Sequence, residues 1–397
     1  MISTKVLNFR VGLFTAARLM VNTSFRMVYP FIAVFAHGLD VEIEVISIAL
    51  AISMVTSALG PFLAPIADRR GRKAGMLIGL IIFLVGIFSA SLFPGLATFF
   101  LAILLGNLGN NIFLPAMQAY LGDHTPYLRR GSYLAITELS WALSFILLVP
   151  LAGLLLANTT WNGPFIGLSV IGLIMTLLVW RFIPQDAPEK PESLTILSDI
   201  QKVLVNPTAI LGMLMGTAFI AGNELISVVF GVWMQDSFGL QVAALGVASA
   251  VIGFSELGGE GLSALLVDRI GKEKMIAASL IVNSAWVIML PGLSQSLTGS
   301  FIWLFVFYLT FEVAIVCTLP MMTEVMPNAR ATMMALYIAA LSLGRAAGDV
   351  AAPFLYKNGF MVNVLVSVGL NLIAVFLLRK IRFPADPLKT RKVETAK

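Results

Sequence analysis

Apolar runs of bilayer-crossing length succeed one another along almost the whole chain, joined mostly by connections too short to hold a domain. They lie near 11–36, 43–66, 75–93, 96–121, 132–156, 163–182, 208–234, 243–267, 275–292, 300–323, 331–356 and 360–378. A hydrocarbon core of about 30 Å takes about 20 apolar residues per helical crossing. Twelve such spans use up most of the 397 residues and leave no room for a soluble catalytic domain. Only 12% of the residues are charged and 58% are hydrophobic, whereas a soluble domain carries roughly a quarter charged residues. The expected fold is therefore an all-α membrane protein of twelve transmembrane helices.

The basic residues fix an orientation. The net charge of +5 comes from residues in loops between apolar runs, which points to membrane topology and not to nucleic acid. Of the 26 Lys and Arg, Arg18, Arg26 and Arg345 fall inside spans and Lys357 falls in a loop on one face. The other 22 fall at the termini or in loops of the opposite face. The positive-inside rule then places both termini in the cytoplasm of a multi-pass protein of the inner or plasma membrane. The first run, Val11 to Ala36, is too long for a signal-peptide core and reads as a span.

The chain repeats itself. Asp68-Arg69-Arg70-Gly71-Arg72-Lys73 follows the second span, and Asp268-Arg269-Ile270-Gly271-Lys272 follows the eighth, at an offset of 200. Asp123 with Pro126 and Arg129 is matched by Glu324 with Pro327 and Arg330, and Gly38-Leu39 by Gly239-Leu240, both at 201. The expected organisation is two pseudo-symmetric six-helix bundles, 1–183 and 207–380, with a linker at 184–206 and a tail at 381–397. Tandem six-span halves with a substrate site between them are a known transporter plan. Within the linker, Ile196, Leu197, Ile200, Val203 and Leu204 recur at helical spacing, predicting a short amphipathic helix.

The Asp-Arg-x-Gly-Arg-Lys loop, with its imperfect second copy, resembles the loop signature of the major facilitator superfamily. The resemblance covers the whole chain: length, span count, linker and both copies. Two positions depart from it. Ala64 and Ala264 stand where the family usually has a glycine, and the fourth span lacks the arginine common in its proton antiporters. Val149-Pro150-Leu151-Ala152-Gly153 in the fifth span looks like a degraded antiporter signature, so the drug:proton antiporter branch is the nearest in style. The resemblance implies alternating access, with a gating role for Asp68, Arg69, Gly71, Arg72, Lys73, Asp268, Arg269 and Gly271. Charge-assisted contacts from this loop to neighbouring helix ends can tie one bundle to the other.

Charges inside the spans supply the candidate pathway. Each costs roughly 2.5–3.5 kcal/mol at mid-membrane on insertion scales, so each needs a cavity or a partner. Arg26, Glu138, Glu224, Glu256, Glu260, Glu312, Arg345 and Asp349 qualify, together with Asn22, Asn107 and Asn111 as polar lining. Arg18 is the remaining intramembrane charge and is able to snorkel to the headgroups. Arg345 and Asp349, four residues apart, are positioned to neutralise each other. Arg26 and Glu224 fall at comparable depths in the two halves and are expected to approach across the cavity. The third, sixth, ninth and twelfth spans have no interior charge, as fits the peripheral helices that the resemblance implies. Three arginines against six acids leave an acid excess. Burial and crowding disfavour the ionised carboxyl, which is the chemistry a proton-coupled carrier needs.

An enzyme is not expected. The two histidines, His37 and His124, lie near span ends, and no zinc, nucleotide or serine-hydrolase motif occurs. No metal or cofactor is implied. The expected function is a secondary active transporter of a small organic solute, by proton-coupled efflux. A symporter or facilitated uptake carrier is the alternative, and a non-transporting receptor or scaffold a remote one. The expected partners are the substrate, protons and the bilayer, with the chain acting as a monomer. The topology has a direct test: an impermeant thiol reagent added outside should label cysteines introduced near Asp40, Asn162 and Ser296, but not near Arg70, Lys190 or Lys272. One contrary loop redraws the spans.

Overall fold

The computed structural model describes residues 4–58, 71–126, 129–186, 196–327 and 329–381. Asp68 and Arg69 of the loop motif, part of the linker and all but the first residue of the tail lie outside the described residues. The N-terminal bundle consists of α1 (Thr4–Arg26), α2 (Ile32–Gly38), α3 (Ile43–Ser57), α4 (Arg72–Leu92), α5 (Leu96–His124), α6 (Arg130–Asn158) and α7 (Gly163–Phe182). The linker helix is α8 (Ile196–Leu204), at the place the sequence predicts. The C-terminal bundle consists of α9 (Pro207–Phe238), α10 (Val242–Ile270), α11 (Lys272–Ile288), α12 (Leu297–Val325), α13 (Arg330–Tyr356) and α14 (Phe360–Leu378).

Among the described residues, nine of these helices are long and apolar enough to cross a membrane. The three remaining positions of the twelve-span reading are held by α1 with α2, by α3 and by α11. The expected first span is broken at residues 27–31, where the bonds of Val28 and Tyr29 tighten to i→i−3 and Pro30 has no amide to donate. The break recurs at residues 228–229, with no proline there. It belongs to the repeat and not to one residue. Pro30 and Gly231 are 201 positions apart, and they meet: a Cβ on Gly231 would stand 2.3 Å from the Pro30 carbonyl oxygen. Repeat equivalents in contact lie on the pseudo-twofold axis.

Two symmetry-related seams join the bundles on this side. In one, α3 packs on α13: the Ser47 hydroxyl donates to the Asp349 backbone carbonyl, and Glu44 pairs with Lys357 at 2.5 Å. In the other, α6 packs on α10, with Gly246 against Pro150 and Gly253 against the Ala142 carbonyl and Ile146. Small residues allow such close backbone approach where lipid supplies no hydrophobic force between helices. Both seams lie toward the face that carries Glu44 and Lys357, called the far face below.

The loop-motif face is different. Arg72 Nε donates to Asp123 at 3.2 Å, and Lys272 pairs with Glu324. These are repeat equivalents, and each pair stays within its own bundle. These two contacts brace single bundles. Gly71 and Gly271 both take φ 91°, which strains any residue with a side chain, so a glycine recurs in both motif copies. Asp186, at the start of the linker, accepts the Arg72 and Lys73 amides. It satisfies the start of α4 as a capping carboxylate does.

Lys357 lies outside the spans, and its hydrogen bond to Glu44 raises its pKa above the ordinary value, so the pair is charged at neutral pH. If this pair helps to close the far face, Glu44→Lys or Lys357→Glu alone should open it. In a chain carrying Cys317→Ser and Ser47→Cys, each reversal is expected to raise the thiol's labelling rate roughly two- to five-fold, since exposed pairs are weak. The double reversal should restore the parent rate.

Candidate functional site

A cavity of about 410 Å³ lies between the bundles. Its wall is drawn from α1, the 27–31 turn, α6, α9, α10, α12 and α13, with nothing from α4, α7, α11 or α14. The helices expected to be peripheral contribute nothing to it, and neither do α3 and α5. Glu138, Glu260 and Leu319 mark the end of the cavity nearer the loop-motif face, and the seams close the other end.

Arg26 holds the middle. It is 3% exposed, with its guanidinium carbon 4.1 Å from the Trp141 ring centre and 3.8 Å from that of Phe145. It donates to the Trp141 carbonyl and to the Ser144 hydroxyl. Its remaining contact is an ion pair with Glu256 of the other bundle, and the Trp141 indole donates to the same carboxylate at 3.1 Å. Residues Ser144–Leu148 form a π-helical stretch just before Pro150. Pro150 has no amide to complete the α-helical ladder, and such widened turns often occur at functional sites.

The pairing differs from the expected one. Arg26 meets Glu256 rather than Glu224, because Gly253 lets α10 close on α6 and brings Glu256 beside Trp141. Arg345 does not neutralise Asp349. It donates to Glu224 Oε1 at 2.7 Å, because Gly348 seats α13 directly against the Glu224 stem and the Ala221 carbonyl. Arg18 does not snorkel. It is buried and pairs with Glu138 at 2.5 Å within the first bundle.

Glu260 and Glu312 line the cavity and have no hydrogen bond or ion pair among the described residues. Around them stand Phe25, Tyr29, Trp141, Phe145, Tyr308 and Phe311. Asn223 and Tyr308 both bond to the Ser227 hydroxyl, at 3.1 and 2.8 Å. Asn22, Asn107 and Asn111 do not line the cavity. Asn22 donates to Ser140 at 3.3 Å, Asn107 to the Ser53 carbonyl at 2.8 Å and Asn111 to Ser57 at 3.1 Å. They tie helices of the first bundle together. Asp349 is also outside the cavity wall. Among the gating-motif residues, Gly71, Arg72, Lys73, Asp268, Arg269 and Gly271 lie at the loop-motif ends of their bundles, away from this cavity. Phe25, Phe145 and Phe311 escape a reading that follows charge, since nothing in the sequence separates a cavity phenylalanine from a packed one.

The sequence profile of the Major Facilitator Superfamily matches residues 14–348 and 212–397, and the chain belongs to that superfamily. Among relatives, an uncharacterized MFS-type transporter of Bacillus subtilis, YceJ, is 26% identical over 88% of this chain and 90% of its own length. The multidrug resistance protein MdtG of Salmonella arizonae is 28% identical over 66% of this chain and 68% of its own. Two solved structures share the fold. A bacterial homolog of the human lysosomal transporter Spinster, in an inward-facing and unoccupied conformation, gives a TM-score of 0.70 at 14% identity, covering 96% of this chain and 95% of its own. A peptide transporter in complex with sulfate gives 0.73 at 15%, covering 93% and 94%. The protein is thus a multi-pass membrane transporter and not an enzyme.

Two glycines make room for the acids. A Cβ on Gly259 would stand 2.6 Å from the Glu312 Cβ, and one on Gly348 would stand 2.5 Å from the Glu224 Cβ. A Cβ on Gly369 meets nothing within 4 Å. Gly259→Ala and Gly348→Ala should each lower thermal stability in detergent by about 1–3 kcal/mol from overpacking. Gly369→Ala should leave it unchanged or slightly raised.

Proposed function

We propose that this chain is a secondary active carrier that exports a small organic solute by alternating access, in exchange for protons. The observation that carries the reading is the cavity itself. It sits between two bundles joined at the far face, and two of its carboxylates, Glu260 and Glu312, have no counter-charge of their own among the described residues. The two arginines on its wall are already taken, by Glu256 and Glu224. What the cavity offers a solute is thus two carboxyl groups free to ionise against it, on aromatic walls. An organic cation with an apolar body fits, because ring faces and carboxylates both attract it.

The loop-motif face is read as cytoplasmic, since the basic loops gather there. The arrangement then corresponds to a carrier open to the cytoplasm, ready to load a solute for export. Likeness to MdtG, a multidrug resistance protein, supports efflux over uptake. Loading a cation between the free acids displaces whatever proton they hold, which is the exchange an antiporter requires.

The test uses purified protein in liposomes with an imposed pH gradient. Lipophilic organic cations are expected to accumulate in the more acidic compartment and to be accompanied by counter-movement of protons. Glu312→Gln should weaken the apparent affinity for such cations about ten-fold, as the loss of one charge-assisted contact does. Movement of organic anions but not cations, or cation movement indifferent to the pH gradient, would overturn the reading.

A further inference from the structure

Four buried polar atoms that make no well-formed hydrogen bond belong to three side chains at one place, where α3, α9 and α13 meet the 27–31 turn. They are both carboxylate oxygens of Asp349, Oε2 of Glu224 and the Tyr29 hydroxyl. Asp349 is 0% exposed and Glu224 1%. The Tyr29 hydroxyl faces Glu224 at the edge of hydrogen-bonding reach and is an electrostatic neighbour of Asp349, and Asp349 is a neighbour of Glu224 and Arg345 while neither of its oxygens has a hydrogen-bond partner. Buried polar atoms are normally satisfied, so a cluster of orphans calls for an explanation. Charge supplies one: Arg345 carries one positive charge and the two acids two negative ones, so a single proton makes the group neutral.

The position of Asp349 makes this more than local balance. It is not in the cavity wall, and its own backbone carbonyl accepts the Ser47 hydroxyl from the other bundle. It therefore sits inside the α3–α13 seam. When the seam parts, as alternating access requires, water from the far face reaches Asp349. When the seam is closed, the remaining polar route runs through Tyr29 and Glu224, both of which do line the cavity.

We propose that Asp349 is the proton-loading residue of this carrier, charged from the far face and discharged to the cavity through Tyr29 and Glu224. This deepens the proton-coupled reading above and rests on it. With the seam open, Asp349 takes a proton from water. With it closed, as here, the neutral acid needs no counter-ion, and Arg345 stays on Glu224. Discharge moves that proton to Glu224 Oε2, either directly or with Tyr29 accepting one proton as it passes its own. Glu224 then becomes neutral and Asp349 an anion. Arg345, four residues earlier on the same helix, changes partner from Glu224 to Asp349, a spacing that suits an ion pair. Glu224 gives its proton to the cavity. The groups facing this site are Tyr29 from the turn, Glu224 from α9 and Arg345 from α13 itself, with Arg26 of α1 and Tyr308 of α12 beside Glu224 and Glu312 of α12 beyond Arg345. From α3 the neighbour is the uncharged Ser47, and α14 brings no ionisable group.

Infrared difference spectroscopy on the full-length protein reads the site without any substrate. A protonated-carboxyl stretching band is expected in the parent at neutral pH and should be lost in Asp349→Asn, an isosteric change. Glu312→Gln should leave that band in place. In liposomes, Asp349→Asn should lose at least ten-fold of the accumulation driven by a pH gradient, and Tyr29→Phe should slow it while the band persists. If Asp349→Asn removes no band, Asp349 is ionised and the proposal fails. If it removes the band but pH-driven accumulation matches the parent, Asp349 carries a proton that transport does not use, and the proposal also fails. A parent with the band but no pH-driven transport would instead overturn the proton-coupled reading, and this one with it.

Discussion

A guanidinium in the middle of a bilayer must bring its counter-charge with it, and Arg26 finds one in the other half of the molecule. Its pair with Glu256 is the ion pair at the centre of the cavity that crosses between the bundles. Much of the surrounding architecture serves that contact. Trp141 and Phe145 enclose the cation and exclude lipid and water. The π-helical turn accompanies the Trp141 carbonyl and Ser144 that receive the remaining donors. Gly253 closes the gap between α6 and α10 that would otherwise hold the charges apart. A pair formed between two bodies favours the arrangement in which they meet. Stabilising one arrangement of the bundles is therefore inseparable from setting a barrier to the next.

The outline of this fold was legible in the sequence because the bilayer allows few solutions. Length, hydropathy and the bias of basic loops constrain where a helix begins and ends, and the 200-residue repeat of Asp68 and Asp268 shows the two halves. The short helix at Ile196–Leu204 follows from spacing alone. What sequence could not supply was the set of partners. Arg345 and Asp349 are one helical turn apart and look like a pair, yet α9 places Glu224 closer to the guanidinium. Spacing along one helix says which side chains share a face, but crossing angles between helices decide which charges meet.

The asparagines teach the same lesson from the other side. Asn107 and Asn111 share a face and a polar character with cavity residues, and they are spent on Ser53 and Ser57 of the neighbouring helix. In hydrocarbon an amide that bridges two helices is useful glue, so polarity within a span does not by itself mark a path for solute. Asp186 was invisible for a different reason. Its value lies in capping a helix more than a hundred residues earlier in the chain, a relation that only the closed bundle creates.

The contact of Pro30 with Gly231 gives the machine a fulcrum. Points on a symmetry axis are displaced least when two halves rock against each other, so in a carrier that rocked its halves this spot would be the bearing and the seams on either side the levers. A bearing tolerates little wear: one added methyl group at Gly231 meets the opposing carbonyl, and the resulting wedge acts at the place of greatest mechanical advantage. Close approach of the two halves at this point thus depends on the absence of a single side chain.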